Sequence, residues 1–116
     1  MLRRTTNAPA NSNLVPYPAL DQPFELAVHP TGIRFYRSKG TFYCSYSTLA
    51  AMNLENKQLT LTFSSQVVHI HGEGLHTLYA HLANQRVSRI VEQTDSGLWT
   101  EGTFVQKIAK EGDDED

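Results

Sequence analysis

The densest run of chemistry-bearing side chains is His69-Ile70-His71-Gly72-Glu73-Gly74-Leu75-His76. Two residues apart on a strand, His69 and His71 send both rings from the same face. Two imidazoles so placed can ligate one ion, and Glu73 or His76 in the segment that follows is within reach to complete an open site. A divalent metal is therefore the one cofactor the sequence suggests, held by His69, His71, Glu73 and His76, and a metal-dependent enzyme or metal sensor is the function it would serve. The competing reading is that the pair decorates the strand face opposite Val68 and Ile70, where an imidazole needs no ligand. His76 and His81 lie five apart, about 140° around a helix, and do not form a second pair. His29, just before Pro30, reads as a turn residue.

A second cluster is Arg34-Phe35-Tyr36-Arg37-Ser38-Lys39-Gly40-Thr41-Phe42-Tyr43, where three bases and four aromatics crowd one expected hairpin. Bases that neutralise phosphate beside rings that stack are the ingredients of nucleic-acid or lipid-headgroup binding, so Arg34, Arg37 and Lys39 are candidate anion contacts. The plainer reading puts Phe35 and Phe42 in the core and leaves the bases solvated. Arg37 points away from Arg34 and Tyr36, which dilutes the patch.

Other chemistries find little support. The single cysteine, Cys44, excludes a disulfide within one chain and a cysteine-based structural zinc site. It alternates with Phe42 and Tyr46, as a small core residue would. Gly72 and Gly74 lack the third glycine and the Lys-Ser or Lys-Thr of a phosphate loop. No nucleophile with a base and an orienting partner can be defended.

The elements that must position these residues follow from periodicity. Residues 1–22 carry Pro9, Pro16 and Pro18 with no periodic apolar pattern and read as a disordered or extended arm. Alternation then predicts strands at Phe24–Val28, at Ile33 and Phe35, and at Phe42–Tyr46, separated by turns at Pro30-Thr31-Gly32 and Ser38-Lys39-Gly40. These three runs read as an antiparallel meander. Ser47–Leu54 fits either a helical turn capped by Ser47 or Thr48, or a continuing strand. Leu59, Leu61 and Phe63 define a half-buried strand, and Val68 and Ile70 the next. Leu75, Leu78, Tyr79 and Leu82 fall on one stripe of a helix of about three turns, with Glu73 near its N-terminus. Val87–Gln93 reads as a strand, and Trp99, Phe104, Val105 and Ile108 as a weak last element. The fold class is α+β, with five to seven mostly antiparallel strands packed by one amphipathic helix. A meander followed by a helix is similar to the layout of pleckstrin-homology-type barrels, and that resemblance implies a small barrel.

Length and charge set the outer bounds. One hundred and sixteen residues make one domain, placed at 23–110, with an acidic disordered tail at 111–116. Five of the twelve acids lie at Glu111 and Asp113–Asp116, so residues 1–110 hold ten bases against seven acids, a net of +3. Two of those bases, Arg3 and Arg4, lie in the arm and leave the body near +1, and a body that close to neutral makes nucleic acid an unexpected partner. No apolar run is long enough for a membrane span, and the default location is cytoplasmic. The leading expectation is a non-catalytic binding or adaptor module that works through a protein partner or its own copies. Val87, Val91, Leu98 and Trp99 exceed what a small one-helix core requires, and they are the expected interface.

Overall fold

The computed structural model describes residues 23–93 and 102–112. The arm at 1–22, the interface candidates Leu98 and Trp99, and residues 113–116 lie outside them. In chain order the elements are β1 (Phe24–Leu26), β2 (Gly32–Tyr36), β3 (Phe42–Ser45), a 3-10 turn (Tyr46–Thr48), β4 (Leu49–Glu55), β5 (Gln58–Phe63), β6 (Val67–Glu73), α1 (Leu75–Ala83), β7 (Val87–Val91) and β8 (Phe104–Lys110). The fold is α+β, with mostly antiparallel strands in two sheets and one helix. The ambiguous stretch 46–54 resolves into both alternatives in succession. The Ser45 hydroxyl caps one tight turn by accepting from the Ser47 amide, and the chain then re-enters extended backbone.

One sheet has the order β1-β7-β2-β3 and the other β4-β5-β6-β8. This corrects the expected three-strand meander. Between β1 and β2 sits β7, antiparallel to the first and parallel to the second. The reason is burial: Val87, Ile90 and Val91 are all buried, and a strand that apolar is stable only with neighbours on both sides. Only β2–β3 and the run β4–β5–β6 keep the hairpin pairing of a meander.

The inward faces of both sheets merge in one core. Phe35 of β2 stacks on Phe42 of β3 with ring centroids 4.7 Å apart, and meets Phe63 of β5 edge-on at 6.4 Å, which joins the sheets. The stripe Leu75, Leu78 and Leu82 turns α1 into this core against β4, β5 and β7. Glu73 ends β6 rather than entering the helix, and Gly74 takes the cap position in left-handed backbone at φ 61°. The Tyr46 hydroxyl donates to the Val87 carbonyl at 2.7 Å and accepts from the Val87 amide at 3.1 Å. Burial pushes that phenol up to about 12, against a smaller downward pull from the bond to the Val87 backbone.

Candidate functional site

The histidine pair lies on the outward face of β6, where strand register arranges the second sheet in rows. One row runs Glu55, Gln58, His71, Lys107 and the next Asn53, Thr60, His69, Ala109. Both nitrogens of His69 are engaged. Nε2 lies 3.0 Å from the Glu111 carboxylate, and Nδ1 lies 3.1 Å from Gln58 Nε2 and 3.2 Å from Thr60 Oγ1. With its hydrogen on Nε2 the ring donates to Glu111 and leaves Nδ1 as an acceptor facing Gln58 and Thr60. His71 borders two clefts, one of about 320 Å³ toward Asn56 and Lys57 and one of about 890 Å³ toward Lys39, Lys107 and Lys110. Partial burial, then Lys107, then His69 hold its imidazole below the usual histidine range. Glu73 is drawn away to Lys57 at 2.8 Å, and His76 is exposed on α1. The four residues of the suggested metal set thus do not converge, and no group of three or more ligand-type side chains stands in position for a metal among the described residues.

The basic hairpin is split across two faces. Arg37 is 7% exposed, so it is not one of the solvated bases expected. Its Nε donates to the Gly40 carbonyl at 3.1 Å, its guanidinium lies 5.0 Å from the centre of the Phe42 ring, and Nη1 reaches the Ile108 carbonyl at 3.5 Å. It ties the β2–β3 turn to β8. Lys39 borders the large cleft beside β8. Arg34 faces out from the first sheet, 6.0 Å from the centre of the Tyr43 ring. The three bases therefore do not act together. Arg89, which β7 sets beside Arg34, was invisible to a reading that paired neighbours in sequence.

The expected interface also shifts. Val87 and Val91 are 0% and 8% exposed and belong to the core of the monomer, because β7 is an interior strand. Cys44 is buried, with the Gln66 amide donating to Sγ at 3.0 Å; burial pushes its thiol up.

Sheet edges distinguish themselves instead. On the outer edge of β8, the Ile108 amide donates to Glu92 Oε2 at 2.9 Å and the Val105 amide to Gln93 Oε1 at 3.1 Å. The Val105 carbonyl accepts from the Gln93 amide at 2.8 Å. Glu92 Oε1 also accepts from the Ser38 amide at 2.9 Å, which locks the β2–β3 turn to the same edge. Among the described residues β4 pairs only with β5, and it carries no charge before Glu55 and no proline. A cleft of about 250 Å³ runs beside it, formed with Leu82, Ala83 and Gln85 at the end of α1. The sequence signal for this edge was the ambiguity of residues 47–54, which fit either a helical turn or a continuing strand.

No family model, no curated protein and no solved structure matches the chain.

Proposed function

We propose that the protein is a non-catalytic binding module that assembles by strand addition at β4, with a second copy of this chain as the occupant. The observation that carries the reading is the seven-residue strand β4, which pairs only with β5 among the described residues, in a sheet whose other outer strand, β8, is capped by side chains. An unpaired row of backbone N–H and C=O groups is a template for another strand, and folded proteins ordinarily blunt such edges. Antiparallel pairing about Met52 sets Ala51 against Asn53 in the regular part of β4 beyond its bulge, so no charge opposes a like charge there. The two second sheets then become one continuous sheet, and the cleft beside α1 receives side chains from the added strand.

Light scattering and sedimentation velocity over a graded concentration series test this. The full chain is expected to dimerise. The double change Ala51→Lys with Asn53→Lys puts lysine opposite lysine on both sides of the two-fold axis and is expected to give a monomer. Both positions are exposed, so the unfolding free energy of the monomeric unit should change by no more than about 0.5 kcal/mol. A wild-type monomer at every concentration, or a dimer indifferent to the double change, overturns the reading.

A further inference from the structure

A single row of side chains crosses the outer face of the first sheet. Register sets Glu25 of β1 beside Arg89 of β7, Arg89 beside Arg34 of β2, and Arg34 beside Tyr43 of β3. Like charges on adjacent strands repel, and such a pair destabilises a sheet unless something compensates it. Arg89 is compensated by Glu25, with Nε 2.9 Å from Oε1. Arg34 lies over Tyr43, and no carboxylate pairs with it among the described residues. A third guanidinium, Arg86, is anchored on the Ala27 carbonyl at 3.0 Å. Ala27, Arg34, Tyr43, Ser88 and Arg89 share a cleft of about 330 Å³.

The aromatic wall of this cleft is fixed before any ligand arrives. The Tyr43 hydroxyl is 2.8 Å from Thr31 Oγ1, and the ring lies across Gly32, where a side chain would strike the tyrosine and the Cys44 carbonyl. The ring keeps 47% exposure in that pose. Arg34 lies beside this ring, its guanidinium 6.0 Å from the ring centre.

We infer that the outer face of the first sheet is a binding site for a small soluble phosphate-bearing ligand, gripped by Arg34 and Arg89 beside Tyr43. A carboxylate is saturated by one guanidinium fork, whereas a tetrahedral phosphate offers oxygens to two forks at once. The site lies on the first sheet, away from β4, and is independent of strand addition.

The test is a titration of the full 15N-labelled chain with inorganic phosphate at constant ionic strength, followed by nuclear magnetic resonance. Saturable shifts are expected at the side-chain Nε–H groups of Arg34 and Arg89 and at the amides of β2 and β7. Arg34→Gln should weaken binding at least about tenfold, the loss of a charged hydrogen bond. Glu25→Gln should tighten it several-fold, because the carboxylate that competes for Arg89 is gone. Shifts that rise linearly without saturating, or that are unaltered in both variants, overturn the site. Co-sedimentation with phosphatidylcholine vesicles containing phosphatidylinositol 4-phosphate that excess inorganic phosphate cannot reverse overturns the assignment to a soluble ligand.

Discussion

The two outer strands of the second sheet present the same problem and solve it differently. At β8, the backbone groups of Val105 and Ile108 that point away from β6 are met by Gln93, Glu92 and Arg37. At β4 the ladder to β5, bulged between Leu49 and Ala51, is the only strand pairing among the described residues, and the Leu49 amide donates to the Tyr46 carbonyl of the preceding turn. One edge has been closed with charged and amide side chains carried by the strand end that follows β7. The other has been left as a run of alanine, methionine and asparagine. An edge closed by Glu92 cannot accept a strand without losing those bonds, whereas β4, with no such caps among the described residues, keeps its own.

The largest effect is expected at Gly72. This residue sits in the β6–β8 bulge, where a Cβ would meet the Phe104 carbonyl and the Val105 backbone. Gly72→Ala should push β8 from its neighbour and cost about 3 kcal/mol, read from the denaturant midpoint. A change near zero would mean that β8 adds little to the fold, and that capping its edge has no stabilising purpose.

A sharper test follows at Glu92. Glu92→Ala removes the acceptor for two backbone amides, Ser38 and Ile108, and should cost roughly 2 kcal/mol in chemical denaturation. The loss should be accompanied by association at the newly opened β8 edge that the Ala51→Lys, Asn53→Lys pair does not suppress. Unchanged solution mass would show that bare edges do not suffice for pairing in this molecule, and the case for β4 would fall with it.

The smallest effect expected is a pH dependence centred on His71, which β6 sets beside Lys107 of β8. The folded-state pKa of His71 lies below its ordinary value of 6.5, chiefly through burial and then Lys107 of β8. The unfolded chain therefore takes up the proton first, so this contribution to stability is fully present above about pH 6.5 and falls as pH drops through the depressed value. Thermal melts between pH 7.5 and pH 5 should show a decline that is shallower in His71→Gln. An equal decline in both proteins would assign the acid sensitivity to other groups.

Much of the local structure was legible in the chain. Alternation at Leu59, Leu61 and Phe63 and the stripe Leu75, Leu78 and Leu82 correspond to β5 and α1, because periods of 2 and 3.6 are set by backbone geometry alone. The turn at His29 and Pro30 is present as well, with His29 in left-handed backbone at φ 58°. Cys44 is the buried residue its alternation implied. The sites were far less legible. Nothing local says that Arg37 turns inward to reach Ile108, seventy-one residues away, or that Lys57 takes Glu73 from the histidine pair. Such pairings depend on which strands become neighbours.

The amino-acid sequence by itself determined the class, the helix, most of the strands and the polar character of the His69–His71 face, since each follows from hydrophobic patterning over a few residues. Tertiary structure alone decided that β7 enters between β1 and β2, which buries Val87 and Val91 and sets Arg89 beside Arg34. It also decided which edges are capped, because Glu92 and Gln93 meet β8 only after the two sheets close over a shared core. The physical reason is the range of the interactions: patterning is a property of consecutive residues, whereas strand order and edge capping are settled by where the whole chain can bury its apolar surface while pairing its backbone.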